Sequence, residues 1–117
     1  MKNDKLADIS LEFSVMCIIL SKELKKNKEY NISDQFERSS TSISANIAEA
    51  SHPQSRADMI SKFEIALKEA FETDKWLKML FYSSIIDKNT FDLFNKKCTK
   101  IRVLLIASIK TLKSKKN

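Results

Sequence analysis

The chain contains no glycine, and its single proline is Pro53. Glycine takes left-handed backbone at no steric cost, and tight hairpins, strand bulges and phosphate-cradling loops depend on it. A chain of 117 residues without any is poorly provided for a turn-rich β architecture. Its abundant Leu, Ile, Lys, Glu and Ala are instead good helix formers. The sequence therefore points to an all-α fold, and the length suits one compact domain over residues 1–117.

Apolar periodicity divides the chain into four helical segments. In the first, about 4–26, Leu6, Ile9, Phe13, Met16, Leu20 and Leu24 recur at spacings of three and four, which only a helix places on one face. Asp4 and Asp8 lie near its start and Lys25 and Lys26 near its end, the order that the helix dipole favours. Residues 27–32 are expected to form a turn, with Ser33 capping a second helix over about 34–50. That helix contains SSTSISANIAEA, whose Ser and Thr content favours a loop. The spacing of Phe36, Ser40, Ile43, Ile47 and Ala50 overrules composition. Its small residues, Ser39, Ser40, Ser44 and Ala48, then read as sites of close approach to neighbouring helices.

Ser55 and Asp58 mark the start of a third helix over about 56–82, with an apolar face including Phe63, Ala66, Ala70, Leu77 and Leu80. Asp87 caps a fourth helix over about 88–114, in which Phe91, Phe94, Cys98, Ile101, Leu105, Ser108 and Leu112 keep a strict three-four repeat. With short connections throughout, an antiparallel up-down-up-down four-helix bundle is the simplest arrangement.

Two segments carry more apolar surface than such a core uses. VMCIIL, residues 15–20, is apolar on every side, and IRVLLIASI, residues 101–109, is nearly so. A helix apolar all round is normally buried all round. A second chain is the expected cover, so the bundle reads as a homo-oligomer with Val15, Ile18, Ile19, Val103 and Ile106 at the interface. Scattered exposed aliphatics on a monomer are the plainer alternative.

The motifs of catalysis and metal binding are missing. Cys17 and Cys98 lie far apart with no metal-type spacing and read as buried free thiols. His52 stands alone beside Pro53, and bundle metal sites need Glu-x-x-His pairs. Glu49, Glu64, Glu69 and Glu72 are ordinary helix-surface residues, so no enzyme, metal or cofactor is expected. The longest aliphatic run is far too short to cross a bilayer, and MKNDKLADIS lacks a signal-peptide pattern, so no membrane association and a cytoplasmic protein are expected.

Charge is unevenly distributed. Residues 1–92 hold 13 Lys and Arg against all 15 Asp and Glu, whereas residues 93–117 hold eight Lys and Arg and no acid. A basic last helix suits a polyanion, RNA or DNA before an acidic protein or an anionic membrane. Lys96, Lys100 and Lys110 share its outer face, and Lys113, Lys115 and Lys116 extend the positive region. A solvated lysine-rich face accounts for the charge equally well, and in that case the bundle would be a protein-interaction scaffold for an acidic or enzyme partner.

On the second helix Arg38, Ser42 and Glu49 fall along one line with Asn46 at its edge, and they read as a polar network between helices or subunits. The segment RSSTSISANIAEA, followed by SRADMISKFEIALKEAFETDKWL, resembles the signature of a small four-helix-bundle family. That family includes the proteins encoded in intervening sequences of bacterial large-subunit ribosomal RNA genes and the accessory proteins of diversity-generating retroelements. The resemblance is best from Phe36 to Leu80. It places the family's Arg on Arg38, its Ser-Ile on Ser42 and Ile43, its Asn-Ile-Ala-Glu on Asn46 to Glu49, and its later acid on Glu72. Ala50 stands where the family commonly has Gly, and His52, Pro53 and Gln54 replace loop residues that are often basic. The resemblance implies a homopentamer and, for the retroelement branch, nucleic-acid and reverse-transcriptase partners.

Overall fold

The computed structural model describes residues 4–115. Four helices follow one another, α1 (Asp4–Lys26), α2 (Tyr30–Ala50), α3 (Arg56–Tyr82) and α4 (Lys88–Ser114), and no strand occurs among the described residues. They form an elongated bundle of 52 × 21 × 19 Å. α1 packs on α2, α2 on α3 and α3 on α4, while α1 and α4 close the ring along a sparser seam. Ser14 meets Ser40 and Ser21 meets Ser33, so numbers rise along α1 as they fall along α2. Glu49 with Lys62 and Ser39 with Thr73 repeat the pattern between α2 and α3, as do Asp74 with Arg102 and Glu64 with Lys113 between α3 and α4.

The core follows the three-four stripes. Phe13, Phe36, Ile43, Ile47, Phe63, Leu77, Leu80, Ile101 and Leu105 are fully buried. Phe94 joins three helices, with its ring 6.2 Å from that of Phe13 and 6.5 Å from that of Phe36. Burying a side chain of this size stabilises by roughly 1.5–3 kcal/mol, which helps offset the ordering of a chain rich in Ser and Thr at its middle.

Two turns solve the glycine problem in the same way. After α1, Lys28 takes φ 67°, the Lys28 amide donates to the Lys25 carbonyl at 3.0 Å, and the Glu29 amide donates to the Leu24 carbonyl at 2.9 Å. After α3, Ser84 takes φ 63°, with Ser84 donating to Phe81 at 3.0 Å and Ile85 to Leu80 at 2.9 Å. Both are Schellman closures, built here on residues that tolerate left-handed backbone less readily than glycine. α3 and α4 begin on side-chain caps. Ser55 accepts from the Asp58 amide at 3.0 Å and Asp87 from the Thr90 amide at 2.8 Å, a bond that holds the Asp87 carboxyl below the usual carboxylate range.

The compact first turn moves the start of α2. The helix begins at Tyr30, and Ser33 is not its cap but a buried residue within it. The Ser33 hydroxyl donates to the Ser21 carbonyl at 2.9 Å, the Ser21 hydroxyl donates to Glu37 at 2.7 Å, and the two hydroxyl oxygens lie 2.6 Å apart. Farther along, Ser39 and Ser40 are fully buried and return their hydroxyls to the carbonyls of Phe36 and Glu37, both at 3.2 Å. Ala48 differs from expectation and faces solvent, because it lies on the opposite side of the helix from Ile43 and Ala50.

Replacing Ser21 by Leu is expected to lower stability by about 1–3 kcal/mol through overpacking of the α1–α2 contact, with Ser21→Ala costing less. Urea denaturation of the two variants checks this, and a Leu variant as stable as wild type would show that the contact is not tight.

Candidate nucleic-acid interface

Lys96, Val103 and Lys110 recur at seven-residue intervals, so they lie along one line of α4, with Lys100 a turn from Val103. All three lysines are exposed and have no ion-pair partner among the described residues, whereas Val103, at 59% exposure, sits between them. The flanks of α4 are engaged differently. Lys97 reaches Glu12 of α1 at 3.2 Å, Arg102 leans toward Asp74 of α3 at 3.9 Å, and Lys113 pairs with Glu64 at 2.8 Å. Lys113 is thus not a free extension of the basic face, since its position on α4 turns it toward α3. The Lys115 carbonyl accepts from Arg56 at 2.7 Å, and Lys116 lies outside the described residues.

The aliphatic surface has two parts. On α1, Val15 and Ile19 are exposed on the side away from the core, and Leu11 extends them at four-residue spacing with 59% exposure. Ile18 is only half-buried, because it is rotated around α1 toward the flank of the stripe. On α4, Ile106 is exposed with Val103, but it turns toward α3, where it borders Leu67 and Lys110. Sequence reasoning missed Leu11, although its spacing from Val15 was the available signal.

The motif residues of α2 divide by the side of the helix they occupy. Arg38 forms ion pairs with Glu72 and, at 3.3 Å, with Glu69, both on α3, and the Trp76 indole N–H donates to Glu72 at 3.3 Å. Ser42 donates to the Arg38 carbonyl at 2.8 Å, and the Asn46 amide donates to the Ser42 carbonyl at 2.8 Å. Asn46 therefore closes on its own helix and does not cross to a neighbouring one. Glu49 points to solvent and pairs with Lys62 at 3.2 Å, apart from the Arg38 cluster. Both ends of the line are tied to α3, by Arg38 and by Glu49, whereas Ser42 and Asn46 between them make bonds within α2.

The model of the 23S rRNA-intervening sequence protein family matches residues 2–107. The chain belongs to that family. Among solved structures it is similar to a protein of unknown function from the S23 ribosomal protein family of Bacteroides thetaiotaomicron VPI-5482, with 47% sequence identity and a TM-score of 0.91. The match covers 94% of this chain and 99% of that one. No curated protein matches. The family match takes in all of the polar line from Arg38 to Glu72 and most of α4.

Among the described residues no cluster of three His, Cys, Asp or Glu side chains has the arrangement to hold a metal ion. Burial raises both thiols, Cys17 strongly and Cys98 to about 12, so they stay protonated, and Cys98 donates to the Ala70 carbonyl at 3.4 Å. No helix among the described residues is long and apolar enough to cross a membrane.

Arg38→Ala is expected to cost about 1 kcal/mol, the range of a partly exposed ion pair. It should also shift the fluorescence of Trp76, the only tryptophan, by releasing its Glu72 acceptor. A denaturation midpoint and an emission maximum both unchanged would contradict the tie between α2 and α3.

Proposed function

We propose that the protein is a non-catalytic, homo-oligomeric nucleic-acid-binding accessory protein whose α4 outer face contacts RNA or DNA phosphates. The observation that carries this reading is the set of three lysines, Lys96, Lys100 and Lys110, without ion-pair partners among the described residues, on a helix that has no acid after Asp92. Lysine ammoniums at that spacing meet phosphates as point charges and position a strand without reading its bases. Pairing of Ser14 with Ser40, Ser39 with Thr73 and Glu64 with Lys113 supports an antiparallel up-down-up-down bundle, which puts α1 and α4 side by side. The exposed line of Leu11, Val15 and Ile19 on α1 supports self-association, and a homopentamer is the assembly that the family resemblance implies.

A second reading takes the same face as a protein-docking scaffold, favoured by Val103, an apolar anchor ringed by lysines. The two readings differ in salt response.

Gel-shift and anisotropy measurements should show binding at about 50 mM salt that weakens steeply as salt rises. The triple variant Lys96→Gln, Lys100→Gln, Lys110→Gln should reduce the salt slope by roughly 2–3. Absence of any shift at low salt would reject nucleic-acid binding and leave the scaffold.

Val15→Asp with Ile19→Asp is expected to convert an oligomer into monomers in sedimentation equilibrium, without loss of helical circular dichroism, because both positions are exposed in one chain. A wild-type monomer at micromolar concentration would overturn self-association.

A further inference from the structure

The solvent side of α3 carries a second periodic line. Glu64, Lys68, Phe71, Lys75, Lys78 and Tyr82 follow one another at spacings of four, three, four, three and four, and all six are exposed. Such spacing places them on one stripe. It is separate from the core stripe of the same helix, which runs through Phe63, Ala66, Ala70, Leu77 and Leu80. Solvated faces of helices are usually polar throughout, but here two aromatic rings stand among lysines. Phe71 is 49% exposed between Lys68 and Lys75, and Tyr82 is 78% exposed one turn beyond Lys78. The helical rise separates the two rings by about 16 Å.

Two acids near this stripe have basic neighbours, although the buried Asp74 Oδ1 accepts no hydrogen bond among the described residues. Glu64 pairs with Lys113 at 2.8 Å, and Asp74 pairs with Lys78 at 3.0 Å and lies 3.9 Å from Arg102. Lys68 and Lys75 have no ion-pair partner among the described residues. The Arg102 guanidinium sits 5.0 Å from the centre of the Phe71 ring, a cation–π contact that sets a second flat group beside the stripe. Two shallow depressions flank this centre. One of about 700 Å³ is lined in part by Lys75, Lys78, Met79 and Tyr82, and one of about 500 Å³ by Leu67, Ile106, Lys110 and Lys113.

We propose that this α3 stripe is a platform for single-stranded nucleic acid. Tyr82 and the Phe71–Arg102 pair stack on unpaired bases, Lys75 holds the phosphates between them, and Lys68 and Lys110 hold those beyond Phe71. The inference rests on the phosphate-binding reading of α4 and goes beyond it by choosing the strand form. A line of lysines serves duplex and single strand alike, but an exposed ring is useful only to a base that is not already stacked within a helix. Lys110 borders both surfaces, lining the lower depression and ending the outer line of α4, so one strand can run from one to the other.

Fluorescence anisotropy with a labelled single-stranded oligonucleotide and a duplex of equal length tests this on the full chain. Wild type is expected to bind the single strand more tightly. Tyr82→Ala should weaken single-strand binding about tenfold or more, leave duplex binding and the salt slope unchanged, and be rescued by Tyr82→Phe. Tyr82 is exposed and its ring touches only the edge of the core, 5.4 Å from that of Phe81, and circular dichroism of the variant checks that the fold is kept.

The inference is overturned if Tyr82→Ala has no effect on single strands, or if it weakens both forms equally. It is also overturned if poly-glutamate binds in a Tyr82-dependent way, or if the substitution changes the sedimentation of the free protein. Binding lost in the double variant Lys96→Gln, Lys100→Gln, which leaves Lys110 in place, but indifferent to Tyr82 rejects the platform and keeps the α4 reading. Tyr82-dependent binding that survives this double variant does the reverse, and no binding of either form at low salt rejects both.

Discussion

A hydroxyl removed from water must find a partner inside the protein, and this bundle is organised around that requirement. Ser10, Ser14, Ser21, Ser33, Ser39 and Ser40 are all buried between helices. Each has a hydrogen-bond partner, either a carbonyl in its own helix or a group on the helix opposite. Because the hydroxyls are satisfied at short range, the backbones of α1, α2 and α3 can approach without a layer of bulky side chains between them. The aromatic core can then be small and still closed. Phe13, Phe36 and Phe94 cluster in the core, and the serines are buried at the helix contacts around them.

Much of this was legible in the sequence because burial imposes a period. The stripe from Phe91 to Leu112 needs no tertiary information to be seen, and Ser55 and Asp87 announce the starts of α3 and α4 by their own side-chain chemistry. The start of α2 was not legible in that way. Ser33 has the composition of a cap, but Lys28 accepts a left-handed backbone that is normally given to glycine, and the turn then closes sooner than residue type suggests. Asn46 misled for a related reason, since a short amide on a helix can bond the carbonyl one turn back and dispense with a distant partner.

The basic face was readable as charge but not as geometry. Counting lysines after residue 92 identifies the positive end of the chain, yet it does not distinguish Lys113, held by Glu64, from Lys110, which has no such partner. Nor does it show that Val103 lies among the lysines, so that the same surface offers a hydrophobic contact and a set of point charges. The α3 stripe escaped for a different reason. Attention to apolar periodicity finds the face that is buried, and a mixed line of Lys, Phe and Tyr on the opposite side gives no comparable signal.

The sparse seam between α1 and α4 has a dynamic consequence. Few groups cross it, among them the Phe13–Phe94 ring contact and the Glu12–Lys97 ion pair. Breathing motions of the bundle should therefore concentrate there, with amide protons of the two outer helices exchanging faster than those of α2 and α3. A ligand or neighbouring subunit that bridged the outer surfaces of α1 and α4 would act as a clasp across this joint. Its effect would be felt less as a change of shape than as a loss of motion.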